Sequence, residues 1–185
     1  MIIKESLEKP SDFIQDGMNA FERNVKRIGD CFLAFIALIV FSPLFLICYI
    51  AVRREDGGPA IFKQERIGRI GRPFNIYKFR SMRLDAEKFG PALYKGGSDP
   101  RMTRAGKFLR EHHLDELPQL WNVFIGDMSF IGPRPERQFY IDQIMERDSR
   151  YRYLYQIRRL SIIYSGESIN TPLRYFADAP KILGR

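Results

Sequence analysis

The 185-residue chain has little of what builds disulfide-held or zinc-held folds: two cysteines, Cys31 and Cys48, and two histidines, His112 and His113. Both cysteines lie inside one apolar run, so they read as small hydrophobes and imply no disulfide or metal framework. Two adjacent histidines without a cysteine nearby make a poor zinc site. No internal repeat or low-complexity tract is present. The apolar run starts too far into the chain, and lacks the small-residue cleavage site, for a cleavable signal peptide. Acidic residues are also scarce: 22 Asp and Glu stand against 30 Lys and Arg, a net charge of +8. That excess points to an anionic partner, which leaves a phospholipid surface, nucleic acid or a phosphorylated substrate. The length fits one modest globular domain with room for an appendage.

The run itself, CFLAFIALIVFSPLFLICYIAV over residues 31–52, carries no charge across 22 positions. As a helix it would be roughly 33 Å long, enough to cross a hydrocarbon core. Two features argue for a different path. Arg23, Lys26 and Arg27 precede it and Arg53 and Arg54 follow it, so a span would put one cationic flank on the wrong side. Midway stand Ser42 and Pro43; proline removes a backbone donor and kinks the helix, and the serine hydroxyl can satisfy a freed carbonyl. From the residues alone, a helix-break-helix that enters and returns on one face and an ordinary span with a tolerated proline weigh evenly.

Ahead of the run, Ile14, Met18, Phe21, Val25 and Ile28 recur at spacings of four and three, predicting an amphipathic helix capped by Ser11 or Asp12. That helix suits the headgroup region and suits packing on a soluble domain equally. After REDGGP (54–59), IFKQERIG and PFNIYKFRSM read as two strands joined through GRIGR (68–72). A polar stretch around 84–102 reads as a loop. Thr103 caps a predicted helix over RAGKFLREHH, with Phe108 and Leu109 on its apolar side. A second helix is expected from Asp115, burying Leu117, Leu120, Trp121 and Phe124, and a third from near Pro135 through Phe139, Ile141 and Ile144.

The window HHLDELPQLWNVFIGDMSFIGPRPE (112–136) concentrates the chemistry. With Asp115 at a helix N-cap, the exposed amides and the positive dipole end would favour a carboxylate and attract phosphate to the same place. An ionised Asp there can act as a nucleophile towards phosphorus, and Glu116 beside it can hold a magnesium ion. Arg134, between two prolines, offers a planar fork for phosphate or carboxylate. Asp followed by Glu is also the commonest way to start a helix, and on this window alone that plainer meaning prevails.

The joint pattern is more specific. KRIGD (26–30), the apolar run with its Ser-Pro, KFRSM (78–82), DPRMTRAGKFLR (99–110), LDELPQLWNV (114–123) and GDMSFIGPRPE (126–136) together resemble the bacterial sugar transferase family, the small monotopic phosphoglycosyl transferases. The likeness covers roughly residues 24 to 150. It implies an α+β fold, mainly helical with a small β-hairpin, on the cytoplasmic face of the bacterial inner membrane, anchored by a re-entrant helix broken at Ser42-Pro43. The expected organisation is an N-terminal segment over 1–24, the re-entrant helix over 25–54, a catalytic domain over 55–157 and a tail over 158–185. The resemblance implies transfer of a sugar 1-phosphate from a UDP-sugar to undecaprenyl phosphate through a covalent intermediate on Asp115, with release of UMP. It gives Mg²⁺ to Glu116, nucleotide-sugar phosphates to Arg134, donor or lipid phosphates to Arg110, and supporting places to Arg80 and Asp127. Implied partners are the UDP-sugar, undecaprenyl phosphate and anionic inner-membrane phospholipid, and no nucleic acid; a homodimer is left open, as is the choice of sugar.

One part departs from the family. YRYLYQIR (151–158) starts its arginine-rich segment, but RLSIIYSGESINTPLRYFADAPKILGR lacks the RPGITG-like turn expected next. That region is expected to help shape the sugar and nucleotide pocket, so an inactive membrane-anchored scaffold of the same fold is the rival reading. A basic nucleic-acid module rests on charge alone. The short N-terminus is expected for the small form of the family.

Overall fold

The computed structural model describes residues 18–68, 71–86, 88, 99–132, 134–147 and the backbone of 160–163. The first helix, α1 (Ala20–Val40), starts with a capping box: Asn19 Oδ1 accepts from the Glu22 amide at 2.9 Å, and Glu22 Oε2 accepts from the Asn19 amide at 2.9 Å. The start expected at Ser11 or Asp12, with Ile14, lies outside the described residues. Met18 precedes the helix, because Asn19 supplies the cap. α1 runs unbroken past residue 25 and into the apolar run.

At Phe41 the path turns into α2 (Ser42–Asp56), bent by 64° from α1. Pro43 has no N–H to give to the carbonyl four residues back, that of Ile39; the Ser42 hydroxyl donates to that same oxygen at 2.7 Å. The bend therefore leaves no loss at Ile39. No single described helix is long and apolar enough to cross a membrane, and the bent pair passes only as a pair. α2 ends on Gly57, whose left-handed φ of 72° lets its amide close on the Arg53 carbonyl.

β1 (Ile61–Ile67) and β2 (Pro73–Phe79) form the expected antiparallel hairpin, with Ile61 opposite Phe79 and Ile67 opposite Pro73. α3 (Arg104–Glu111) begins at Thr103, whose hydroxyl accepts from the Gly106 amide at 3.0 Å as predicted. Glu55 at the end of α2 also accepts from the Arg104 and Ala105 amides, tying α2 to α3. A 3-10 turn (Leu114–Glu116) leads into α4 (Gln119–Ile125) and β3 (Met128–Ile131). α5 (Gln138–Arg147) starts three residues beyond Pro135, because Glu136 is still extended and its carbonyl accepts from the Ile67 amide at 3.0 Å. β4 (Leu160–Ile163) pairs parallel with β3, Met128 opposite Leu160, a second sheet that the sequence reading did not anticipate. Most of the 84–102 stretch, and the tail apart from β4, lie outside the described residues. The architecture is thus α+β, mainly helical with a small hairpin.

Two apolar clusters join the bent helices to the rest. Cys48 and Val52 of α2 pack with Ala60, Phe79 and Leu109, and Leu114 and Leu117 close this cluster from the 3-10 turn. Ala34 of α1 packs with Ile76, Val123 and Met128. A smaller cluster holds Ile67 against Ile141 and Met145 of α5. The opposite face of the helix pair stays bare: Phe21, Ile28, Phe32, Leu33, Leu46 and Ile47 are each more than half exposed. Trp121 (48 %) and Phe108 (56 %) are exposed too, against the burial expected of Trp121. α4 presents Leu120 and Val123 inward instead, three positions apart on one face.

Candidate active site

Asp115 does not cap an α-helix. His113 takes a left-handed conformation (φ 56°) after α3, and Leu114-Asp115-Glu116 follow as a 3-10 turn. The physical reason is packing. A 3-10 turn eclipses residues three apart, so Leu114 and Leu117 both reach the first apolar cluster while Asp115 and Glu116 turn to the other side. Pro118 stands at the N-cap of α4 instead. The site therefore draws its positive potential from side chains, not from a helix end beginning at Asp115.

Those side chains are Lys78 and Arg134. Glu116 Oε1 accepts from Lys78 Nζ at 2.7 Å and from Arg134 Nη2 at 2.8 Å. Burial pushes the Glu116 carboxyl up, but the two cations outweigh it and hold the group below its usual range. Asp115 is 5 % exposed. Its burial raises the carboxyl above the usual range, and Lys78 and Arg110 offset only part of that rise. Lys78 itself is lowered by burial, with Glu116 opposing. Two neighbouring carboxyls are thus pushed in opposite directions, an arrangement characteristic of sites that do chemistry.

Each group is held by long-range contacts. Arg134 reaches Glu116 because its chain is fastened to β1: Arg66 Nη1 donates to the Pro135 carbonyl at 3.1 Å and pairs with Glu136 at 3.6 Å. Pro133 lies outside the described residues. Lys78 lies two residues past buried Ile76 on β2, so strand alternation aims it inward. Lys78 stands in KFRSM without a role in the sequence pattern; a lysine on the buried phase of a strand was the available signal. Asn122, fully buried, fixes α4 to β2 by accepting from the Tyr77 amide at 3.0 Å and donating to the Asn75 carbonyl at 2.7 Å.

The other sequence candidates fall further out. Arg110, half-buried at the end of α3, acts on Asp115 through its charge. Arg80 is buried and pairs with Asp56 at the end of α2, with Nε and Nη1 lacking a partner among the described residues. Asp127 is exposed in the turn after α4, 3.4 Å from Asn122 Nδ2. Neither Arg80 nor Asp127 bonds the Asp115 or Glu116 carboxylate among the described residues.

The KRIGD segment, whose Lys26 and Arg27 belong to the cationic flank of the apolar run, is a fastening as well. Arg27 donates to the Val123 and Phe124 carbonyls at 2.7 Å each, closing the C-terminus of α4. Asp30 is buried and accepts from Lys26 at 3.0 Å and from the Ser129 hydroxyl at 2.7 Å. Through these bonds α1 holds both the helix and the strand that follow Asp115.

A divalent ion fits this donor set in one form. Among the described residues no three His, Cys, Asp or Glu side chains converge as an all-protein cage. Magnesium asks for less: one or two carboxylates, with water and substrate phosphate completing its octahedron. Glu116 can provide such a ligand, since both cations sit on Oε1.

A sequence model described as bacterial sugar transferase matches residues 21–162. A Bacillus subtilis (strain 168) protein, provisionally named undecaprenyl-phosphate N-acetylgalactosaminyl 1-phosphate transferase, is 49% identical over 119 residues, 64% of this chain and 66% of that protein. The UDP-N-acetylgalactosamine-undecaprenyl-phosphate N-acetylgalactosaminephosphotransferase of Aeromonas hydrophila is 44% identical, covering 72% of this chain and 31% of its own length. The UDP-glucose:undecaprenyl-phosphate glucose-1-phosphate transferase of Caulobacter vibrioides is 41% identical, covering 72% and 49%. The matches thus reach about two thirds of the Bacillus relative and half or less of the other two. With the family model spanning both helices, the hairpin and the Asp115–Arg134 site, the chain belongs to the bacterial sugar transferase family.

Proposed function

We propose that this chain is a phosphoglycosyl transferase that moves a sugar 1-phosphate from a UDP-sugar to undecaprenyl phosphate and releases UMP, starting a bacterial surface glycan. The observation that carries the reading is the pairing of a buried Asp115 with a cation-clamped Glu116 on one turn. A more basic carboxylate is a better nucleophile once ionised, and Lys78 and Arg110 favour its ionised form. An Asp115 oxygen attacks the phosphorus that carries the sugar, and the bond to UMP breaks with its electron pair leaving on UMP. An oxygen of the lipid phosphate then attacks the same phosphorus. The bond to Asp115 breaks, the carboxylate is regenerated and the lipid carries a diphosphate-linked sugar.

Magnesium, held by Glu116 with the donor's phosphate oxygens, would neutralise the charge gathering on the diphosphate. Arg134 orients the donor phosphates, and its 47 % exposed side chain is free to swing from Glu116 to them. Arg110, whose charge reaches Asp115, would meet the phosphate of the donor or the lipid. Arg80 and Asp127 support the scaffold: Arg80 anchors the hairpin to α2 and Asp127 the turn after α4.

The bent helix pair is proposed to enter and leave the cytoplasmic face of the bacterial inner membrane. Its bare face carries Phe21, Ile28, Phe32, Leu33, Leu46 and Ile47, a contiguous kind of apolar exposure that suits a lipid surface, and the basic residues gather anionic phospholipid. Nucleic acid has no part in this scheme.

Intact-protein mass spectrometry after incubation with Mg²⁺ and a panel of UDP-sugars tests the reaction. Wild type is expected to gain the mass of one phosphosugar and Asp115→Asn none. No adduct with any donor, from folded protein, would favour a binding scaffold without turnover.

A further inference from the structure

Arg66 and Glu136 form a buried ion pair that takes no part in the chemistry above. Arg66 Nη1 lies 3.6 Å from Glu136 Oε2, and the same nitrogen donates to the Pro135 carbonyl at 3.1 Å. Nη2 donates to Gln64 Oε1 at 2.5 Å, and Nε has no partner among the described residues. Fold stability is a poor reason to keep this pair. Burial pushes the Glu136 carboxyl up despite Arg66, Arg134 and Lys78, and pushes the Arg66 guanidinium down despite Glu136. Two apolar side chains in the same space commonly stabilise a fold as well as a buried ion pair, or better.

What the pair supplies is placement. Arg66 stands on β1, and the Ile67 amide beside it donates to the Glu136 carbonyl at 3.0 Å. The Pro135 carbonyl, the Glu136 carbonyl and the Glu136 side chain are thus all held by one strand. Immediately before them comes Arg134, whose exposed side chain reaches Glu116 at 2.8 Å. β1 pairs along its whole length with β2, which carries Lys78, so one hairpin sets both cations of Glu116.

We propose that Arg66 and Glu136 are positioning residues for donor capture, holding the 134–136 segment on the hairpin so that Arg134 meets the donor diphosphate beside Lys78 and Glu116. The inference deepens the function proposed above and rests on it. Neither residue touches the phosphates; both act through Arg134.

Isothermal titration of the full chain in detergent, with Mg²⁺ and UDP, tests this. UDP carries the nucleotide and diphosphate common to every UDP-sugar and has no sugar to transfer. Arg66→Met is expected to weaken UDP binding about tenfold, the worth of one charge-assisted hydrogen bond. That variant leaves Glu136 buried and unpaired, so Arg66→Met with Glu136→Leu accompanies it. With no charge left buried, the double variant should keep the wild-type thermal midpoint and show the same tenfold loss; a pair kept for stability alone would leave its UDP affinity unchanged. In an Arg134→Met background, adding Arg66→Met should change the affinity by less than about twofold, since the effect passes through Arg134. Wild-type affinity in the two Arg66 variants, or a tenfold loss that persists with Arg134 removed, overturns the inference and leaves the proposed reaction standing. A wild type that binds no UDP overturns the proposed function, and this inference with it.

Discussion

Gly106 tests whether α3 sets the position of the site. A Cβ built on it falls 2.5 Å from the Ser81 Cα and carbonyl carbon, and closer still to the carbonyl oxygen. Ordinary carbon–carbon contact is about 3.5–4.0 Å, so Gly106→Ala must drive α3 away from residue 81 by roughly 1 Å. The helix is not free to yield. Leu109 is packed with Phe79 and Val52, and Glu55 holds its first amides. Overpacking of this kind costs roughly 3 kcal/mol, and alanine's better helix propensity offsets about 1. The net loss of about 2 kcal/mol corresponds to a thermal midpoint lower by about 6 °C. The same displacement moves Arg110 and the start of the Asp115 turn, and misplacement by 1 Å can slow chemistry about 100-fold. The comparison is Gly29→Ala in α1, where an added Cβ meets nothing within 4 Å and helix propensity predicts a small gain. Thermal unfolding in detergent and the rate of phosphosugar adduct formation read both effects. Wild-type midpoint and rate in Gly106→Ala would refute the close approach of α3 to residue 81.

Lys78→Met should move the acid limb of adduct formation to higher pH. Lys78 lowers both Asp115 and Glu116, so without it each carboxyl stays protonated to a higher pH, and an unshifted profile would dismiss Lys78 as the stabilising charge. Stability has its own sign. The Glu116 carboxyl is held below its usual range in the folded chain, so its contribution is present above the unfolded-state pKa and disappears as pH falls through the folded value. Denaturation at stepped pH should show wild type losing more stability than Lys78→Met across that acid range. Arg27→Met removes two donors from the end of α4 and should cost roughly 2–3 kcal/mol, with Arg27→Lys recovering only part because one ammonium replaces a fork; equal stability of all three forms would show the cap to be dispensable. Ser42→Ala removes the hydroxyl from the Ile39 carbonyl and should cost about 1 kcal/mol in thermal unfolding, and no change would mean that the backbone N–H at the end of α1 satisfies that carbonyl alone.

Local features were readable because they depend on near neighbours. The hairpin followed from two β-rich runs around GRIGR, and the Thr103 cap from one hydroxyl ahead of an apolar pattern. The helix break was legible in Ser42-Pro43, since a proline and the carbonyl four residues before it lie on one chain. The Asp-Glu pair was readable as a candidate site, but its backbone was not: a 3-10 turn replaced the expected helix start because Leu114 and Leu117 had to meet Phe79 and Leu109. Trp121 was misplaced for a related reason. Periodicity marks an apolar stripe without saying which part of it meets a partner.

What the sequence determined by itself was the family, carried by its joint motifs, and the apolar, basic character of the chain, because residue identity sets charge and hydropathy. Only the tertiary structure decided that Lys78, 38 residues before Glu116, and Arg134, 18 after it, share one carboxylate oxygen. It alone showed α1 closing the end of α4 through Arg27, and β4 pairing with β3. Such contacts depend on how separate elements pack. A lysine, an arginine or a short apolar run is compatible with many partners until burial of the shared core leaves one.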